Sequence, residues 1–490
     1  MTAERPRGAV FWSAAEAGAA GLLSFVSAFL VARLVGPGEL GIGAAVVAPQ
    51  VLLWIGVNAL FADALAQRPA VDEDTASSAF WASLAVGCLA ALAQAACGFA
   101  LAAAMGDPRL ARMGVALAVP LPLVGAAGAA QGMLTRRRDY RTLAARTILG
   151  QGLGSVVGIA LALAGAGAWA VVAQQAAGTF AGAAVLLLRA GWRPRPRCSP
   201  ALVRSLLTVG APLVAGTLVQ HGRYRLFALA IGDVAGPVAL GEVHLAFRLV
   251  DTLRDLTATA LWRLMLPSFA ERQHDRAALF GALDRSLGLS GLAMFPLWGA
   301  LALAAEPLIA LLLGPAWAGA ARAALPLAGV ACWTSLSFPA GVAAVARGAT
   351  RYTLAANLAM TALTLAGVWW LRPETPRTAA LIWVAAQLAL APYVVAMSAR
   401  ALAFRPLRTL RAGLPALALA AAATSVAALA SGLPGAPEAP AAQLALRLAV
   451  LAAVYVPGAA ILLRSDTFEA LRAAGIVART DRKPAAEPAV

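Results

Sequence analysis

The stretch from Leu206 to Pro267 combines two features that ordinarily exclude each other. It is apolar enough for two adjoining membrane helices, yet it carries Arg223, Arg225, Glu242, His244, Arg248, Asp251, Arg254 and Asp255. Each Arg or Asp at a bilayer centre costs about 2.5–3.5 kcal/mol on insertion scales, so several facing lipid would cost on the order of 10 kcal/mol. These side chains must face protein, water or one another. At 100° per residue, His244, Arg248, Asp251, Arg254 and Asp255 fall in one sector of the second helix, with Leu249, Val250 and Leu253 opposite. Arg248–Asp251 and Asp251–Arg254 stand three residues apart, so part of the charge neutralises within the helix. On the first helix Thr217, His221 and Arg225 form a second polar strip, while Arg223 points elsewhere.

The chemistry this suits is anion binding. A guanidinium keeps its charge and donates paired hydrogen bonds to phosphate. Arg223, Arg225, Arg248 and Arg254 are the expected phosphate-facing set, with Asp251 and Asp255 orienting them and reducing repulsion in the empty site. His221, His244 and Gln220 complete the candidate substrate-binding residues. The alternative is a set of ion pairs that only locks helix packing. Arg223 and Arg225, with no acid within a turn, argue against it. Two further acids are candidates for ion coupling. Glu16 stands about two turns, roughly 13 Å, into the first span, where a buried carboxylate suits proton coupling. Asp63 lies near the inner end of the second span, where a solvated helix end is the competing reading. Gln131, Gln151, Gln174 and Gln175 suit either sugar hydroxyls or helix–helix hydrogen bonds.

The elements that position these groups follow from composition. Of 490 residues, 61% are hydrophobic and 13% charged, against about 25% charged in soluble domains. Apolar runs of spanning length recur from end to end. The expectation is an all-α polytopic membrane protein of about 14 spans with no separate soluble domain. The net charge of +16 is nearly all arginine, and it sorts by side. With a cytoplasmic N-terminus, roughly 27 basic residues lie in inner loops and ends and about 6 in outer loops. That asymmetry accounts for the charge without nucleic acid and places both termini in the cytoplasm. The outer loops are short and the inner loops lack a phosphate cradle, so the chain is expected to be a transporter, not an enzyme, with no catalytic residue and no cofactor. Cys88, Cys97, Cys198 and Cys332 suggest neither a disulfide framework nor a metal site.

Internal echoes divide the chain. Gly36-Pro37-x-x-Leu40-Gly41 matches Gly236-Pro237-x-x-Leu240-Gly241, and the turn at 106–111 matches Leu313–Trp317. Thr142–Ala145 matches Thr353–Ala356, and Trp169 with Gln174 matches Trp383 with Gln387. Each pair is offset by six spans. The expected architecture is two six-helix lobes (1–190 and 206–399) related by an axis along the membrane normal, a two-helix extension at 412–463, and a disordered cytoplasmic tail at 464–490.

The turn Ala32–Gly41, the stretch Ile231–Gly241 with Leu245–Leu249, the segment Leu313–Ala321 and the run Arg136–Arg141 through Gly165–Trp169 together resemble one family. It is the polysaccharide exporters and O-antigen flippases of the multidrug/oligosaccharidyl-lipid/polysaccharide exporter superfamily. The resemblance covers nearly the whole chain. It implies a monomer flipping an undecaprenyl-diphosphate-linked oligosaccharide across the bacterial inner membrane by alternating access, with membrane lipids and a polysaccharide polymerase as partners. The chain departs from its relatives at Gln220–Arg225, where many carry an acid in mid-span 7. A cation-coupled drug exporter would place acids in the cavity, and a membrane glycosyltransferase or ligase would need a large outer loop. A peptidoglycan-precursor flippase, also of about 14 spans, remains the nearest alternative.

Overall fold

The computed structural model describes residues 6–346, 350–402, 406–434, 437 and 439–464. The proposed tail falls almost wholly outside them. Among the described residues the chain is helical with no strand: α1 (Pro6–Ala59), α2 (Ala62–Gln67), α3 (Glu73–Met105), α4 (Arg109–Ala118), α5 (Leu121–Arg136), α6 (Tyr140–Leu163), α7 (Ala168–Arg189), α8 (Pro200–Glu271), α9 (Arg276–Leu313), α10 (Ala318–Ala346), α11 (Thr350–Leu371), α12 (Pro376–Leu402), α13 (Pro406–Ala430) and α14 (Pro440–Arg464). Twelve helical stretches among the described residues are long and apolar enough to cross a membrane. Leu92, Leu188 and Trp370 are 70%, 84% and 88% exposed, which is costly in water and natural in lipid.

Two of these elements are too long for one crossing. Straight, the 54 residues of α1 and the 72 of α8 would reach about 80 and about 110 Å, against roughly 30 Å of hydrocarbon. Each breaks at a glycine outside the helical region, Gly36 (φ 78°) and Gly236 (φ 83°), where a side chain would be strained. The consequence is visible in α8. Tyr224 and His244 would lie about 30 Å apart along a straight helix, yet Tyr224 Oη is 2.9 Å from His244 Nδ1. The chain therefore doubles back.

The two breaks meet. A Cβ added to Gly41 would overlap the carbonyl of Pro237, and one added to Gly241 would overlap the carbonyl of Pro37. This reciprocal approach joins the two matching motifs, and only glycine permits it.

The chain divides into two compact units. The first comprises residues up to Thr252 with Ile309–Leu327 and Arg351–Ala391. Its helices close on small residues: a Cβ on Gly98 would lie 2.7 Å from the Cα of Gly114, so α3 and α4 touch backbone to backbone. Its turns are built from acids. Arg109 binds Asp107 (2.8 Å) and Glu39 (3.0 Å), and Glu39 also accepts the first N–H of α7 from Ala168 (2.7 Å). Glu242 does likewise for Gly319 at the start of α10 (2.8 Å), so both carboxylates stand where helix dipoles favour them.

The Asp107 carboxyl is held below its ordinary value of 3.8, first by the hydrogen bond from Arg109. A depressed folded value contributes stability above the unfolded value and loses it as pH falls through the folded one. Thermal unfolding of wild type and Asp107→Asn should therefore differ at pH 6, with the gap closing progressively below about pH 3.8. A gap that persists at low pH would contradict this.

The second unit holds Leu253–Leu308, Ala328–Thr350 and the described residues from Pro392 onward. Trp298, 1% exposed, donates to Ser335 Oγ (2.9 Å), satisfying a buried indole N–H. Here α14 docks on α9 through backbone carbonyls that proline leaves spare. Arg447 donates to Leu303 O (2.9 Å), four residues before Pro307, and Tyr455 to Leu292 O (2.8 Å), four before Pro296. Tyr455→Phe removes one such bond from a buried site and should cost about 1 kcal/mol, read as a lower melting temperature in detergent. An unchanged melt would show that this bond carries no stability.

Candidate functional site

Two polar cavities lie inside the first unit. The smaller, of about 180 Å³, is lined by Ser24, Gln151, Gln174, Gln175, Arg225, His244 and Arg248 with apolar residues between them. The break at Gly236 is what brings Arg225 and Arg248 together, since they sit on opposite arms of α8. Arg248 donates to Ser24 on α1, and His244 is held by Tyr224. Tyr224 packs on Phe247 with ring centres 4.7 Å apart, and the Arg225 guanidinium lies 5.4 Å from the Tyr224 ring. Arg225 is thus held beside an aromatic ring and Arg248 beside Ser24, and both border the same cavity.

The larger cavity, about 420 Å³, lies among α1, α5, α6 and α7. Trp54, Asn58, Arg146, Gln151, Gln174 and Gln175 supply its polar and aromatic lining. Val51, Gln151, Gln174 and Gln175 border both cavities, so the two are neighbours sharing one wall. No carboxylate lines either among the described residues. Gln174 donates to Ser27 (3.1 Å) and Gln175 to Gln50 (3.0 Å), so the helix–helix bonding expected of these amides is present alongside their place in the wall.

The other expected site residues spread out. Arg223, two positions from Arg225 and therefore about 200° around the helix, stacks 4.6 Å from the Trp383 ring, away from the cavity lining. Asp251 is half-buried one turn beyond Arg248. Arg254 and Asp255 are exposed, form a neighbouring pair at 3.2 Å and belong to the second unit. Gln220 and His221 are exposed and line neither cavity. Glu16 accepts from Thr147 Oγ1 (2.6 Å), and Asp63 lies at the surface of α2.

Sequence reading did not single out Arg146, which falls among the basic residues counted to the inner side. The signal was present. Asp139 caps α6 by accepting from Thr142 N (3.0 Å), and a helix starting there carries Arg146 nearly two turns inward. Its guanidinium lies 5.7 Å from the Trp54 ring, at the wall of the larger cavity.

Helical hairpins bent at glycine, apolar outer faces and an arginine-lined cavity define a polytopic membrane protein of the flippase and multidrug-transporter fold. The fold matches the lipid II flippase MurJ in an inward closed conformation, with a TM-score of 0.76 at 10% identity over 93% of this chain and 99% of that one. It also matches a multidrug resistance MATE family transporter of the MOP superfamily in an inward-facing conformation, with a TM-score of 0.58 at 14% identity over 84% and 96%. By sequence the chain belongs to the polysaccharide biosynthesis protein family, whose profile matches residues 30–322. A curated relative is the succinoglycan biosynthesis transport protein ExoT of Rhizobium meliloti (strain 1021), 26% identical over 293 residues. That match covers 60% of this chain and 59% of ExoT, so the chain spans under two thirds of this relative's length. The relatives are named as transport protein, flippase and transporter, not as enzymes.

Proposed function

We propose that this protein is a flippase for an undecaprenyl-diphosphate-linked oligosaccharide in the bacterial inner membrane. The observation that carries the reading is the convergence of Arg225, His244 and Arg248 on one cavity with no acid in its lining among the described residues. Two guanidinium groups lining one cavity suit a diphosphate and repel a cationic drug. Counting the arms on either side of Gly36 and Gly236 separately turns twelve apolar stretches into fourteen crossings. An even number, with the inner-loop arginines, favours two cytoplasmic termini. The two lobes would rock about the arginine cavity, and the reciprocal Gly41 and Gly241 contact supports their relation by a twofold. Glu16 is the better placed of the two ion-coupling candidates, because it is tied to α6 whereas Asp63 lies on the surface. The working unit is proposed as a monomer that hands its glycan to a polymerase.

The test is reconstitution in proteoliposomes with a fluorescently labelled polyprenyl-diphosphate oligosaccharide, scoring its arrival in the opposite leaflet. No movement beyond that of empty vesicles would overturn the reading. A second reading, a flippase for the peptidoglycan lipid precursor, is favoured by the fold likeness alone. Rescue of a strain lacking that essential flippase would select it.

A further inference from the structure

We infer that the 420 Å³ cavity is a saccharide subsite that recognises an acidic sugar residue, with Arg146 pairing the sugar carboxylate and Trp54 stacking on the ring. The inference rests on the proposed transport of a lipid-linked glycan and names which feature of the glycan is read. The volume falls within the roughly 300–1,000 Å³ of ligand pockets. The lining has the composition a sugar needs: one flat apolar face and several amides that can both donate and accept. Among the described residues, the side chains of Asn58 and Gln151 make no hydrogen bond within the protein, and both border the cavity. Their hydrogen-bonding capacity is open to a ligand.

Arg146 gives the site its sign. It is the single charged residue in the lining and makes no hydrogen bond or ion pair among the described residues. Glu16 lies near enough to interact with it through space, but its Oε1 accepts the Thr147 hydroxyl at 2.6 Å. The guanidinium lies beside the Trp54 ring in the cavity lining, so its donors are within reach of a ligand held there. A neutral hexose would leave those donors to water, whereas a uronic acid or other carboxylate-bearing sugar would take two of them at once. The shared wall of Gln151, Gln174 and Gln175 then places this subsite next to the arginine pair proposed for the diphosphate. Diphosphate and sugar are joined in one ligand, so neighbouring subsites are what such a ligand requires.

The test is binding by the full chain in lipid nanodiscs, measured by calorimetry with three probes: tetragalacturonic acid, maltotetraose and undecaprenyl diphosphate. Expected for wild type is binding of the acidic tetrasaccharide at least tenfold tighter than the neutral one. Arg146→Gln should erase that preference, Arg146→Lys should keep part of it, and neither should alter undecaprenyl diphosphate binding. Equal binding of the two tetrasaccharides by wild type, or a preference that survives Arg146→Gln, overturns the inference. The wild-type comparison decides even if Arg146→Gln does not fold. Loss of undecaprenyl diphosphate binding alone would instead strike the proposed function and leave the saccharide subsite standing.

Discussion

Arg248→Ala and Arg225→Ala are each expected to reduce glycan export on the order of 100-fold while the protein stays at normal levels in the membrane. A hydrogen bond to a charged group is worth about 1.5–3 kcal/mol, and every 1.4 kcal/mol is tenfold in affinity. Both side chains line the 180 Å³ cavity. Arg248→Lys should recover part of the activity, because an ammonium keeps the charge but loses the paired donors. Arg223→Ala is the informative contrast. Its guanidinium stacks on Trp383 within the cluster of Phe227 and Phe247, outside the cavity lining. Losing that stacking should cost about 0.5–2 kcal/mol of stability and spare most of the export. Export by Arg248→Ala at the wild-type rate would end the phosphate assignment. Equal losses at all three arginines would point to general electrostatics in place of a defined site.

The second large effect is expected at the crossing of the two glycine–proline motifs. Gly41→Ala and Gly241→Ala each place a methyl carbon inside a backbone carbonyl, of Pro237 and Pro37 respectively. A backbone oxygen cannot swing aside as a side chain does, so the two hairpins must separate. Overpacking typically costs about 1–3 kcal/mol, enough to shift a two-state equilibrium by one to two orders of magnitude. With the proposed orientation this crossing closes the outer face, so the variants should lose export. They should also expose buried surface beside the crossing. Leu240 is fully buried, and a Leu240→Cys reporter should resist a membrane-impermeant thiol reagent in the parent and react in the Gly41→Ala background. Gly56→Ala is the control, since a Cβ there meets nothing within 4 Å. Unchanged protection in the Gly41→Ala protein would mean that this contact does not gate access.

Much of this protein could be read before any coordinates. The crossings were legible because a spanning helix must be apolar for its full length, a demand that composition cannot hide. The two sharp turns were legible because only glycine takes a positive φ freely, and Gly36 and Gly236 recur in matching surroundings. The charged hairpin was legible because membrane depth makes each arginine conspicuous, and two of the four expected phosphate ligands do meet in one cavity.

Which arginines meet was settled only by the tertiary structure. Arg223 and Arg225 look alike in a string of letters, but a helix turns them to opposite sides, and what each side faces comes from distant chain: Trp383 for one, a cavity also lined by Gln151 and Ser24 for the other. Arg254 and Asp255 share a helical sector with Arg248, yet the helix runs past the end of the first unit before reaching them. Arg146 read as a loop residue because a stretch of arginines precedes it, and loop and first helical turn differ by only a few ångströms of depth. Packing of α6 against α1 and α7 sets that depth, and it turns a topology signal into a cation in the wall of the larger cavity. Periodicity and solvation cost are local properties, written residue by residue. The company a side chain keeps depends on contacts between residues hundreds of positions apart, and no single stretch carries that information.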